Sequence, residues 1–557
     1  MTAAPRRRAR QSGAALAALG LLLPAVRLAA QDTTTAAHAP TPTIQWLGVR
    51  GGLTVMGELY GRGGIGQPNR PSRTGRIAAN MTFSLANGLV TVPLTALIST
   101  DQVSFRQQIN QFGVSPTYQG MTVHLGHFSP QYSTFTLADQ TLLGGGFEVD
   151  RDGFRAGVVG GRARRAAAPD TAYGALTGQP QFARHMWALR AGYGDPAGRG
   201  SVDVIYLAGA DEPGSLDTSL VQYTTVAPER NSVLGLKGEA WLAAKRVHLN
   251  LEAATSRHAH QPGLTNTPTT SGRAASAKLG YRAGAVTMGG TLEYVGPEFV
   301  TFGNAGLAPD HFDYGLTLGG QLAQGRVAFN AMGGWRKDNL ANALTQTTKR
   351  AIYTLAGTLQ PVPAFGVDVQ LTNNVNNSRA AIDTVRNVTG QYSITPRFIW
   401  RTGSAQHALV LLASRQTSDN STTGAFTLVN TRATTLVGTW IVTLPSTLGF
   451  TLTGTRTAVV VDTLPATVVS TIAPGVRHAF LRQQLQLSVQ LQVLHTGGAS
   501  TTSNEIYPLV DARYAVGPGR TLELRTSVRH HTLSSTGTPA QAFTERVLTV
   551  QYSAAWR

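Results

Sequence analysis

Gln484-Leu485-Gln486-Leu487-Ser488-Val489-Gln490-Leu491-Gln492-Val493 sets apolar residues at the odd positions and polar ones at the even positions. A period of two belongs to an extended strand, whose successive side chains leave on opposite faces. The pattern recurs along the chain. Val247, Leu249, Leu251 and Ala253 alternate with His248, Asn250 and Glu252, and Val367, Val369 and Leu371 alternate with Asp368, Gln370 and Thr372. Phe312, Tyr314, Leu316 and Leu318 oppose Asp313, Gly315 and Thr317, while Leu522, Leu524 and Val528 oppose Glu523, Arg525, Ser527 and Arg529. Each segment has one oily face and one wet face.

Alternation alone fits a soluble sandwich as well as a membrane barrel. The turns separate them. Short turn-like clusters begin at Asp150, Asp195, Ala243, Ala283, Ala323, Pro361, Thr402, Pro445, Arg477 and Gly517, at intervals of 32 to 48 residues. Between them lie longer segments rich in Gly, Pro, Ser, Thr and Asn: 261–273, 296–310, 373–380, 417–423 and 532–539. Two strands of ~10 residues, one tight turn and one long loop fill such an interval. A propeller blade repeats at a similar length but needs four short strands. The expected fold is therefore all-β, a transmembrane antiparallel up-and-down barrel with short periplasmic turns and longer extracellular loops. Ten hairpins, the last segment and three early strands (44–60, 76–85 and 89–99) give 24 strands. A further pair at 119–127 and 133–137 gives 26, and Asn87-Gly88 reads as a two-residue hairpin turn.

Composition agrees. Charged residues are 14% and hydrophobic ones 42%, with 61 glycines and no cysteine, which excludes a disulfide framework, a thiolate metal site and a lipidated N-terminal cysteine. Of 47 cationic residues, Arg6, Arg7, Arg8, Arg10 and Arg27 lie in the first 30; the remaining 42 face 29 acidic residues, a balance of +13. These cations are scattered singly along alternating segments, so nucleic acid is not an expected partner. The arginine-rich start, the apolar run 13–23 and the small residues Ala29-Ala30 before Gln31 read as a cleavable export signal over 1–30. A short periplasmic segment, 31–43, would then precede a barrel over 44–557.

In the final segment Leu548, Val550, Tyr552, Ala554 and Trp556 share one face, opposite Thr549, Gln551, Ser553 and Ala555. This resembles the C-terminal assembly signal of Gram-negative outer-membrane proteins, with the aromatic residue penultimate and Arg557 after it. The resemblance implies the outer membrane as destination and the barrel-assembly machinery as a partner. The stretch 111–162, with Gln111-Phe112-Gly113-Val114-Ser115-Pro116, His124-Leu125-Gly126-His127 and Leu143-Gly144-Gly145-Gly146-Phe147, is similar to the early part of a large uncharacterised outer-membrane barrel family. It covers under a tenth of the chain and implies location only.

No catalytic, cofactor or metal constellation emerges. Gly61-Arg62-Gly63-Gly64-Ile65-Gly66 runs into Pro68 and Pro71, where no phosphate-binding helix begins, and reads as a loop. His258 and His260, and His311 with Asp310 and Asp313, lack a nameable further ligand and read as solvated loop edges. His124, His248, His530 and His531 have no nameable acid or nucleophile beside them. The polar face is more telling: Asp203, Glu252, Lys278, Arg282, Asp368, Arg397, Arg525 and Arg529 would line a watery lumen. Trp241, Tyr281, Tyr353, Tyr392, Trp400, Trp440, Tyr552 and Trp556 would mark the membrane interfaces. The expected function is a porin-like passive channel for small polar solutes, without enzyme activity, in contact with membrane lipid and lipopolysaccharide. The alternative is a structural or export barrel whose lumen holds loops or a partner protein.

Overall fold

In the computed structural model the described residues are 46–66, 70–100, 110–167, 180–216, 226–260, 269–380, 383–423, 428–462, 464–498 and 500–556. The expected export signal and the segment after it lie outside them. Among the described residues twenty-seven strand segments, β1 to β27 in chain order, form one antiparallel sheet in which chain neighbours pair, β4 with β5 excepted. β4 (Gln111–Val114) and β5 (Thr117–Tyr118) are two pieces of one strand broken at Ser115-Pro116, since both pair with β3 (Val90–Ser99) and with β6 (Met121–Phe128). The wall therefore has 26 strands. It closes where β1 (Leu47–Gly64) meets β27 (Thr538–Trp556), in register from Gly51 opposite Trp556 to Gly64 opposite Phe543. Closure leaves no edge with unpaired backbone groups, the condition for crossing lipid with strands. On the inner face of the seam Tyr60 donates to Glu545 at 2.8 Å, and Arg62 and Arg529 approach the same carboxylate at 3.6 and 3.7 Å.

The apolar face points outward. Leu485, Val489, Leu491 and Val493 share it with Leu522, Leu524 and Val550 on neighbouring strands, and much of this surface is exposed. In β20 (Ala405–Thr422) the outward set runs His407, Leu409, Leu411, Ala413, Arg415, a length of ~27 Å along the strand. Tilted, that matches an apolar band ~25 Å tall. Aromatic rings bracket it. Near the short turns Trp400, His407 and Trp440 stack at 5.1 and 5.9 Å; near the opposite rim Trp335 stacks on Tyr314 at 5.1 Å and donates to the Tyr353 hydroxyl at 3.1 Å.

Several expectations need correction. Residues 133–137 are no strand; the 26-strand wall comes instead from the broken strand β4/β5 together with β6. The turn read at Arg477 sits at 481–484, because His478, Ala479 and Phe480 still pair with β24 (Leu485–Gly497). The early hairpin turn spans four residues, 86–89, with Asn87 and Gly88 both at positive φ. Gly61 to Gly64 continue β1. Segments 373–380, 417–422 and 532–535, read as loops, are strand, as is 269–273. Their Asn, Ser and Thr signal exposure to water, and the sheet simply continues past the apolar band with its backbone bonds satisfied across the ladder.

Candidate functional site

Among the described residues two connections turn inward instead of outward: 129–141, between β6 and β7 (Leu142–Arg151), and 296–310, between β14 (Val286–Val295) and β15 (His311–Leu322). They hold each other through Thr301 Oγ1 donating to Thr136 O (3.0 Å), Ala138 N to Gly303 O (2.8 Å) and Asn304 Nδ2 to Thr134 O (3.0 Å). Phe135 meets Phe299 edge-on at 5.9 Å. Both segments lie on the polar-face side of the wall, packed on residues from β7 to β14, Gly272 of β13 (Thr269–Ala283) among them, which places them in the lumen. There they complete a dry core with Leu137, Leu142, Val159, Ile205, Leu207, Val233 and Val295, all essentially unexposed. Burying each such aliphatic or aromatic side chain is worth roughly 1.5–3 kcal/mol.

Polar latches tie this core to the wall. Glu252, an expected lumen residue, accepts from Ser133 Oγ and Thr134 N, both at 3.0 Å, and Lys237 donates to Tyr132 O at 3.3 Å. Asn231 bridges to the other segment, donating to Val300 O at 2.9 Å and accepting from Phe302 N at 3.1 Å. Two glycines permit the close approach. A Cβ on Gly303 would stand 1.9 Å from Thr136 O, and one on Gly272 would stand 2.2 Å from Phe299 N.

All eight expected lumen residues share the inner face. Asp203 is the most buried of them, held by Arg155 Nη1 at 2.8 Å and Arg190 Nε at 3.1 Å. Asp368 pairs with Arg397 at 3.2 Å, Arg525 with Asp511 (3.1 Å) and Glu523 (3.0 Å), and Arg529 with Glu505 at 2.7 Å. Lys278 and Arg282 have no ion-pair partner among the described residues. Sequence reasoning missed Arg155, Arg190 and the neighbouring cluster in which Asp211 receives Arg164 (3.1 Å) and Arg184 (2.7 Å). Their alternation with outward Ala156, Leu189 and Ala191 was the available signal. Among the described residues the buried inward core runs from 128 to 302. Beyond it, Gln486, Gln490, Asp368 and Arg525 face the lumen uncovered.

Of the expected interface aromatics, Tyr281, Tyr353, Tyr392, Trp400, Trp440, Tyr552 and Trp556 lie on the outward face. Trp241 does not. It shares the inner face with Lys237 and Glu239 and stacks on His248 at 4.0 Å, beside a short turn. One chain of hydrogen bonds has the order nucleophile, base, acid: Ser115 Oγ to His124 Nδ1 (2.9 Å) and His124 Nε2 to Glu148 Oε2 (2.7 Å). Ser115 N donates to Pro93 O at 3.0 Å, and Phe128 stacks on the imidazole at 4.8 Å. The triplet braces the wall where its fourth strand is broken. His258, His260 and His311, read as solvated loop edges, are strand residues on the inner face, and Glu229 and Glu293 stand beside them.

On the outward face Arg162, Arg230, Arg257 and Arg273 occupy adjoining rows of the sheet at the end away from the short turns. None makes an ion pair among the described residues. Arg230 and Arg257 border a hollow of about 900 Å³ floored by Gly160, Ala208 and Ala210 and flanked by Trp187 and Tyr206.

No protein-family model matches the chain, and no curated protein matches it. Solved barrels overlay it loosely. The P pilus usher (PapC) translocation pore is 11% identical with a TM-score of 0.37, covering 92% of this chain and 100% of its own. OccK2 (OpdF) of Pseudomonas aeruginosa is 14% identical with a TM-score of 0.37, covering 63% of this chain and 99% of its own. An E. coli P pilus tip assembly intermediate is 13% identical with a TM-score of 0.42, covering 96% and 64%.

Proposed function

We propose that the protein is an outer-membrane channel through which small polar solutes pass passively, its lumen narrowed from one side by the two inward segments. The observation that carries this reading is the asymmetry of the inner face: a dry core against strands from β7 to β14, and uncovered polar side chains on the later strands. Twenty-six strands 4.8 Å apart and tilted ~40° give a circular wall roughly 50 Å across, wider than the two described inward segments fill. Asp203, Glu252, Lys278, Arg282, Asp368, Arg397, Arg525 and Arg529 would contribute to the polar lining. Planar-bilayer recording of the refolded chain should show large, stable steps. With Lys278 and Arg282 unpaired, reversal potentials in a salt gradient should show a weak anion preference. A cation preference would refute the selectivity, and an inserted barrel with no conductance would refute the channel.

The inward core also favours a second reading, a structural or export barrel whose lumen holds loops and a partner protein; a silent barrel would be its signature. Neither reading assigns the protein an enzyme activity.

In this reading the long connections face outward and the four lipid-facing arginines meet the outer leaflet. Unpaired arginine is costly in hydrocarbon but near neutral at the interface. Arg230, Arg257 and Arg273 stand on three successive strands, with Arg162 three strands further along and the outward carboxylate of Glu212 engaged by His185 at 3.7 Å; these guanidiniums suit a polyanionic headgroup, so the phosphates of lipopolysaccharide are the partner proposed for Arg162, Arg230, Arg257 and Arg273. Reversing two of them, Arg230→Glu with Arg257→Glu, should reduce the lipopolysaccharide retained through detergent purification; unchanged retention would refute the assignment. The outward row ending at Trp556 is likewise proposed as the segment met by the barrel-assembly machinery.

A further inference from the structure

His258 and His260 lie two residues apart near the end of β12 (Val247–His260), so both imidazoles leave from the inner face. Glu229 opens β11 (Glu229–Leu242) directly opposite His260. One ligand atom from each of the three lies within 4.8 Å of the others. Glu229 Oε1 is 3.3 Å from His260 Nδ1 and 3.7 Å from His258 Nε2. Two donors bonded tetrahedrally to one ion at ~2.0–2.1 Å stand about 3.4 Å apart, so these separations need little closing.

Two further observations point to a ligand. The His258 side chain is only 6% exposed, and its Nε2, the atom facing Glu229, has no hydrogen-bond partner. Buried polar atoms are rarely left so, and a missing ion is one reason they are. The second oxygen of Glu229 accepts from Arg184 Nη2 at 2.8 Å, and Arg184 is held in turn by Asp211. This fixes the carboxylate with Oε1 turned toward both rings, the way outer-shell partners orient ligands in metal sites.

We propose that Glu229, His258 and His260 form a binding site for a divalent transition-metal ion of the zinc class, at the rim of the lumen. Two neutral imidazoles and one carboxylate select such an ion over calcium or magnesium, which prefer oxygen ligands. His260 is 59% exposed, so the remaining coordination positions open to water or to a passing solute. The ion also abuts the inward core: the Phe302 ring stands edge-on to His258 at 6.0 Å and beneath the Arg184 guanidinium at 3.4 Å. The other candidate cluster, Glu293, His311 and Asp313, is poorer. It has one imidazole, and Asp313 is engaged by Arg336 Nε at 2.7 Å.

The test is calorimetric titration of zinc into the full chain, untagged, stripped with chelator and folded in detergent micelles. One ion should bind per chain at micromolar concentration, and cobalt in its place should give the visible absorption of a low-coordinate nitrogen-oxygen site. Changing an outer-shell partner of a metal site costs 10–100-fold in affinity, so losing a ligand should cost at least ~10-fold. His260→Ala, at an exposed position, and the isosteric Glu229→Gln should each do so, while His311→Ala should not, with heat-modifiable migration confirming a folded barrel in each case. Absence of saturable binding, binding unchanged in His260→Ala, or binding lost only in His311→Ala would each overturn the proposal.

Discussion

Gly272→Val is expected to lift the segment 296–310 off the wall while leaving the barrel closed. Gly272 lies in β13 without a positive φ, so a β-branched residue suits its strand conformation. Its new Cβ, however, would stand 2.2 Å from Phe299 N and 2.3 Å from Phe299 Cα. Both are backbone atoms and cannot rotate aside. The segment must move, and with it go the Val300 N bond to Ser256 Oγ, the two bonds to Asn231 and the burial of Phe299 against Phe135. Removing a large aromatic from a core costs about 3–5 kcal/mol. Charged to local opening alone, that is at least ~100-fold faster exchange of the Phe302 and Gly303 amides. Exchange measured by mass spectrometry should show it there and not in the strand ladder, and single-channel conductance should rise as the constriction loosens. Unchanged exchange would mean that the wall accommodates valine and that the segment is not seated as described. Fast exchange with unchanged conductance would leave the seating intact and remove the inward core from the conduction path.

The wall was legible in the sequence because its code is local. Period two, tight turns and an amphipathic last strand each need only neighbours in the chain, and they located most of the hairpins and both faces. The inward core was not, for two physical reasons. Ser133-Thr134-Phe135-Thr136-Leu137 alternates like a strand, and alternation does not say whether a short segment finds a ladder partner or packs its apolar side chains inside. Residues 296–310 carry the Gly, Pro and Asn of an exposed loop, and the sign of burial was instead Phe299 and Phe302 within it, matched by Gly272 on the inner face 27 residues earlier. Inner-face charges were legible as a class, but not in their pairs. Arg155, Arg190 and Asp203 meet across three strands, and Glu229 reaches His258 and His260 through a register that no spacing announces. Trp241 misled because an aromatic near a turn suggests an interface, although its parity with Lys237 and Glu239 already put it inside.

Asp203→Asn should destabilise the barrel by about 3–5 kcal/mol, read as a lower denaturant midpoint for unfolding, because it strands two guanidiniums rather than merely losing two contacts. The Asp203 side chain is 3% exposed and receives Arg190 from the neighbouring strand and Arg155 from the strand beyond it. Both arginines are already short of acceptors, with Arg155 Nε and Arg190 Nη2 buried and unbonded. Among the described residues Arg155 has only Asp150 at 3.6 Å as a second carboxylate, and Arg190 otherwise faces the Tyr132 ring at 5.6 Å. An amide in place of the carboxylate keeps the shape and removes the charge that balances them. If stranded charge is the cause, replacing all three residues with apolar ones of similar length, Arg155→Met, Asp203→Leu and Arg190→Met, should recover most of the loss, as whole buried ion clusters often exchange for hydrocarbon at little cost. The site adjoins the dry core at Ile205 and Val159, so such side chains would extend it. The triple variant remaining as unstable as Asp203→Asn would place the cost in packing and leave the ion cluster without a structural role. The two variants should also part in conduction: the single change leaves an extra positive charge beside the lumen and should deepen anion preference, whereas the triple change removes two cations and one anion and should reduce it.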